Sequence, residues 1–202
     1  MTKKPLIVTF LGKSGSGKGT QVKLLRDKFD LDYIGTGELL RERKKTSDFT
    51  GTKIAEVIDS GGISPTCVVF FLWMAKLEEF KKKTDFNGIV FDGSPRRIKE
   101  AYMLDEALEW YEWNNSVKVI LIDISDEEVE KRMLLRANEA GAEKRPEDSV
   151  EGIRKRLEWF KEEVGPVINY YEEKGKLIKI NGEQTIEKVF EDILKAIEND
   201  ND

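Results

Sequence analysis

The chain begins with an apolar run, Leu6, Ile7, Val8, Thr9, Phe10 and Leu11. Such a run, rich in branched residues and flanked by polar ones, fits a strand buried on both faces. A glycine-rich stretch, 12–19, follows it. The period then changes: Val22, Leu25 and Phe29 recur at spacings of three and four, the stripe of a helix. Further buried-strand patterns lie at 88–91, 117–124 and 176–180, with a short one at 33–34. Between them the pattern predicts helices over 36–46, 52–60, 65–83, 97–113, 126–139, 147–174 and 185–198. Pro65 suits a helix start, and Gly165-Pro166 predicts a bend or break late in the long helix. Ser125 and Glu128 have the spacing of a capping box. Cys67 is expected to be a buried helix residue.

Strands alternating with helices predict an α/β fold, a parallel sheet with helices on both faces. Ligands then belong beyond the carboxyl ends of the strands. The 202 residues suit one domain. Two stretches depart from the alternation, the helices of 36–83 and the polar 137–144. Both read as excursions from one core.

Composition narrows the chemistry. The chain has no histidine, which excludes a Ser-His-Asp triad, a histidine base and any histidine-bound metal. Its single cysteine excludes an internal disulfide and a multi-cysteine structural zinc site. The longest apolar run, 68–75, is far short of the roughly 20 residues that span a bilayer. No signal peptide is expected, so the expected setting is reducing and cytoplasmic. A net charge of -5 with mixed signs argues against nucleic acid or an anionic membrane as partner. What remains for chemistry is carboxylates, Lys, Arg, hydroxyls, backbone amides and a borrowed cofactor.

The strongest motif is Gly12-Lys13-Ser14-Gly15-Ser16-Gly17-Lys18-Gly19-Thr20, which fits G-x-x-x-x-G-K between a buried strand and a helix. Glycines let backbone amides turn inward around a phosphate, and a helix N-terminus adds positive potential. Gly19 stands where a metal-binding hydroxyl often sits, so either Thr20 takes that role or the metal ion is held mainly by phosphates and water. The run closely resembles the loop of nucleoside monophosphate kinases of the adenylate kinase family, whose pattern is Gly-x-x-Gly-x-Gly-Lys-Gly-Thr.

Other stretches extend the resemblance from about residue 6 to 197. Gly35-Thr36-Gly37-Glu38-Leu39-Leu40-Arg41 resembles the family's monophosphate-receiving stretch, and Thr36 is also a candidate N-cap. Asp59-Ser60-Gly61-Gly62-Ile63-Ser64-Pro65 resembles its Asp-x-Gly-x-Leu-Val-Pro turn. Asp92-Gly93-Ser94-Pro95-Arg96 resembles Asp-Gly-Phe-Pro-Arg, with Ser94 in place of Phe, a change expected to loosen packing. Arg132 and Arg136 share a helix face, as in the family's Arg-x-x-x-Arg. Arg145-Pro146-Glu147-Asp148 and Arg156 resemble its later arginine motifs. Only eight residues, 137–144, separate Arg136 from Arg145, so the chain resembles the short-lid type.

The resemblance implies a P-loop NTPase of three α/β/α layers around a five-stranded parallel sheet. It divides the chain into a core (1–34, 65–136 and 146–202), a helical monophosphate-binding insertion at about 35–64 and a short lid at about 137–145. The implied activity is reversible transfer of the γ-phosphoryl of ATP, bound with Mg²⁺, to AMP, by a monomer without structural zinc. Lys18, Arg96, Arg136, Arg145 and Arg156 would be catalytic. ATP would meet Gly15, Ser16, Gly17, Lys18, Gly19, Thr20, Arg132, Arg136, Gly182 and Gln184. The acceptor would meet Thr36, Arg41, Gly62, Ile63, Ser64, Gly93, Arg96, Glu100, Arg145 and Arg156. Asp92 and Thr20 would hold the metal through water. A nucleotide-binding switch protein and an inactive relative are the rival classes; the full set of arginines argues against both.

Glu100 departs from the family, in which a Gln reads the acceptor adenine. A Gln amide both donates and accepts, matching adenine N6-H and N1, whereas an ionised Glu only accepts. A carboxylate suits guanine, and a protonated Glu restores adenine pairing at the cost of a raised pKa. AMP is the expected acceptor; GMP, or broadened use of CMP and UMP, is the alternative. Glu100→Gln is expected to raise AMP use relative to GMP.

Overall fold

The computed structural model describes residues 4–60, 62–114, 117–138 and 149–198. Five parallel strands form one sheet: β1 (Leu6–Leu11), β2 (Asp32–Gly35), β3 (Gly88–Asp92), β4 (Val117–Asp123) and β5 (Leu177–Asn181). Their order is β2-β3-β1-β4-β5, with β1 in the centre between β3 and β4. Alternation along each strand fills two cores, as the pleat requires. Ile7, Leu11, Ile89, Phe91, Val119 and Leu121 face one way; Val8, Phe10, Val90, Ile120 and Ile122 face the other.

The first core is covered by α4 (Thr66–Lys81), α5 (Ile98–Trp110) and α8 (Gly165–Glu173). Trp73, Leu77, Leu104, Leu108, Val167 and Tyr171 are their buried anchors. The second is covered by α1 (Lys18–Phe29) and α9 (Ile186–Glu198), through Val22, Leu25, Val189, Ile193 and Ile197. A three-layer α/β/α sandwich results. The helices α2 (Thr36–Arg43) and α3 (Phe49–Asp59) follow β2 before α4 returns to the sheet. A smaller third cluster, Ile124, Val129, Met133, Ile153 and Leu157, joins α6 (Asp126–Asn138) to α7 (Val150–Trp159). No helix among the described residues is long and apolar enough to cross a membrane.

The bend or break expected at Gly165-Pro166 takes the form of a π-helical turn, Phe160–Val164, between α7 and α8, while two other expectations, on Thr36 and Cys67, are corrected. Pro166 has no N–H and its ring crowds the carbonyl four residues back. Widening the turn, with the Gly165 N–H bonded to the Phe160 oxygen, absorbs both defects. Thr36 is not a cap: α2 starts on it, and no side chain caps that helix. Cys67 is exposed, because the buried stripe of α4 runs through Val69, Trp73, Leu77 and Phe80 instead.

Candidate active site

The site residues gather along the carboxyl edge of the sheet, where the strand ends leave backbone groups unpaired by the ladder. The loop after β1 turns back on itself and delivers the chain into α1 at Lys18. Gly12 must be glycine: a Cβ there would lie 2.6 Å from the Ile122 carbonyl oxygen and 2.8 Å from Ser16 Oγ. Gly17, at the N-cap with φ 91°, is left-handed, and the space beside it is open. Ser16 is buried, whereas Gly19 and Thr20 are exposed on the first turn of α1.

Lys18 curls over this loop. Its Nζ donates to the Gly12 oxygen (2.6 Å), the Lys13 oxygen (2.7 Å) and Ser16 Oγ (3.3 Å). Loss of water around the ammonium holds its pKa down to about 8, with Arg96 and Arg156 repelling it and Asp92 pulling the other way. Those four charged groups come from the loop–α1 junction, the turn after β3 and α7, so the fold has collected them from distant sequence. The cluster is locally basic in a chain whose net charge is -5.

The arginines are held by a hydroxyl, a carboxylate and backbone oxygens. Arg156 Nη1 donates to Ser14 Oγ (3.0 Å), which ties α7 to the loop. Arg132 Nε pairs with Glu128 (2.7 Å), while Nη2 meets the Gly182 oxygen (3.0 Å) and Nη1 the Gly15 oxygen (3.4 Å). Its guanidinium therefore bridges the loop and the turn after β5. Arg136 lies one helical turn further along α6. Arg96 Nε donates to the Gly93 oxygen (2.7 Å). Gly182 packs so tightly that a Cβ would sit 2.6 Å from Ile122 Cγ2. The Gln184 amide is committed to the Asn181 oxygen and Asp192 (3.0 Å each). Arg41 is exposed, its guanidinium over Gly37. Arg145 and residues 139–145 of the expected lid lie outside the described residues.

Asp92 ends β3 and accepts one side-chain hydrogen bond, from Tyr33 Oη (3.3 Å). Among the described residues no cation pairs with it, so its oxygens suit water on a hard divalent cation. Tyr33 also donates to Glu38 (3.3 Å), and burial beside these two carboxylates pushes its phenol pKa up. Nothing in the sequence distinguished Tyr33 from an ordinary strand residue. Ser94 corrects another expectation. It is fully buried, its hydroxyl bonds Thr36 Oγ1, and its carbonyl accepts from Thr9 Oγ1. Trp73 Nε1 donates to the same Thr36 oxygen (3.0 Å). The Ser at this position builds a polar chain across β1, β3, α2 and α4 rather than a gap.

On the opposite wall, Gly62 and Ile63 are exposed, and Ser64 is buried with its carbonyl 3.5 Å from Arg97 Nη1. Glu100 sits in the first turn of α5, where its Oε2 accepts from the Arg96 N–H (2.8 Å). Burial pushes its pKa up, opposed by the backbone N–H groups and charges of Arg96 and Arg97.

The family model described as adenylate kinase matches residues 10–176. An adenylate kinase of Chlamydia trachomatis serovar D is 35% identical over 227 aligned residues, covering 98% of this chain and 92% of that protein. One from Phocaeicola vulgatus is 34% identical over 194 residues, covering 96% and 98%. One from Azobacteroides pseudotrichonymphae is 36% identical over 196 residues, with the same coverage.

Proposed function

The chain belongs to the adenylate kinase family, and on that premise we propose that it transfers the γ-phosphoryl of ATP reversibly to AMP, giving two ADP. The observation that carries this reading is the convergence of Lys18, Arg96, Arg156 and Asp92 at the mouth of the glycine loop. The loop amides of 15–20 and the Lys18 ammonium bind the donor phosphates. Arg132, spanning Gly15 and Gly182, forms a flat cationic floor for the donor purine. Gln184 supports that floor by bracing Asn181 against α9.

The acceptor lies between the turn after β3 and the 35–64 insertion. Arg96 grips its phosphate from below and Arg41 from the insertion. Gly93 and the backbone of 62–64 line the base pocket, with Thr36 behind it and Glu100 at its edge. Arg136, Arg145 and Arg156 reach the transferring phosphoryl from the lid side. An AMP oxygen is already anionic, so no general base is needed, and the absence of histidine costs nothing. Catalysis rests on alignment and on positive charge aimed at the equatorial oxygens. Asp92 and Thr20 would hold, through water, a Mg²⁺ bound with ATP, which would supply further positive charge at the phosphates. Closure of the insertion and the short lid at 137–145 would exclude water, so that phosphoryl reaches AMP and not solvent. A single cysteine suits the reducing cytoplasm, to which we assign the enzyme.

The test is kcat/KM with MgATP and a panel of AMP, dAMP, GMP, CMP and UMP. AMP is expected to lead. A value for GMP above that for AMP would overturn the choice of acceptor.

A further inference from the structure

Among the described Asp, Glu, Lys and Arg residues only Glu100 is buried over its whole length, at 3% exposure. Neither neighbouring cation pairs with it, although their charges favour its ionised form: Arg96 Nε donates to the Gly93 oxygen, and Arg97 meets Glu163 (3.4 Å) and the Ser64 oxygen (3.5 Å). No ion pair to Glu100 forms among the described residues, and its carboxyl accepts from the backbone N–H groups of Arg96 (2.8 Å) and Arg97. The charged groups turned toward α5 from its neighbours are engaged elsewhere. Glu78 of α4 meets Tyr111, Lys174 of α8 meets Asp105, and Glu163 of the π turn meets Arg97. A buried carboxyl without a cation is cheapest in its neutral form. A carboxylic acid has the hydrogen-bonding pattern of an amide, one donor beside one acceptor.

We propose that Glu100 meets the adenine of AMP as a carboxylic acid, its O–H donating to N1 and its carbonyl oxygen accepting from the N6 amino group. This inference rests on the AMP reading above. The carbonyl oxygen has two lone pairs, so it keeps the Arg96 N–H while it accepts from N6. AMP binding then takes up a proton from solvent whenever the free carboxyl is ionised. AMP affinity falls with rising pH, while guanine, with two donors on the same edge, gains as the carboxylate forms.

The test is the pH profile of KM for AMP at saturating ATP, in the native enzyme and in Glu100→Gln. It is joined by calorimetry of AMP binding in two buffers that differ in ionisation enthalpy. In the native enzyme KM is expected to rise by up to tenfold per pH unit above the free carboxyl's pKa. The AMP:GMP ratio of kcat/KM should fall over the same range. Glu100→Gln should lack both trends and bind AMP with less proton uptake. Gln retains an oxygen for the Arg96 N–H, and an analogue arm needs no variant: 1-deaza-AMP, without the N1 acceptor, should lose the pH trend in the native enzyme. Parallel profiles and equal proton uptake in the two proteins would overturn the inference and leave Glu100 as a cap on α5. Absence of AMP turnover at every pH would instead overturn the acceptor reading.

Discussion

An ammonium ringed by two carbonyls and a hydroxyl, with two arginines nearby, is held for a ligand that carries the compensating charge. With its pKa down to about 8, Lys18 of the free enzyme loses its proton above that pH. The expected outcome is a fall in kcat/KM for ATP above pH about 8, moved to higher pH in kcat because bound phosphates restore the charge. Stability has the opposite slope. Between about 8 and the ordinary 10.5 the unfolded chain holds this proton and the folded chain does not, so this group makes stability rise with pH there. Lys18→Ala should lower kcat by about 10²–10³, the scale of a lost transition-state donor; near-normal turnover would contradict its role. Ser94 gives a second residue-scale prediction. Ser94→Phe must force a ring into the space between Thr36, Thr9 and Trp73, and should cost about 1–3 kcal/mol of stability in urea unfolding. Lys18 was legible because the glycine spacing marks it. Tyr33 was not, since its contact to Asp92 exists only once β2 and β3 pair.

At the scale of elements, the helices whose sequence carries both a buried stripe and a stop were read best. The stripe Val189, Ile193 and Ile197 marks α9 without ambiguity. The capping box at Ser125 is half formed. Its Oγ accepts from the Glu128 N–H (3.2 Å), but the Glu128 carboxylate turns to Arg132, and Glu183 takes the Ser125 N–H instead (2.7 Å). The guanidinium four residues on outcompetes a backbone amide for the carboxylate, a pairing whose i,i+4 spacing the sequence does carry. The π turn was hidden, because Pro166 signals an obstacle but not how the chain passes it. The cluster joining α6 to α7 has five buried residues and stands apart from the two large cores. Met133→Ala should therefore cost about 2–5 kcal/mol. Amides of α6 and α7 should exchange through local openings well before those of β1 and β4. Equal protection across all four elements would show that the cluster is not a separate unit.

For the whole molecule, the sheet was legible because its inner strands, β1, β3 and β4, are buried on both faces and separated by helices. The order of the strands was not read from the sequence, since it depends on where each crossover helix packs. The acidic net charge proved uninformative about the cleft, which draws its cations from loop, turn and helix alike. The most direct test of the proposed chemistry is the count of ADP formed from MgATP with and without AMP. The account predicts two ADP for each ATP consumed when AMP is present and almost no ADP without it. One ADP per ATP, formed at the same rate whether or not AMP is added, would contradict it.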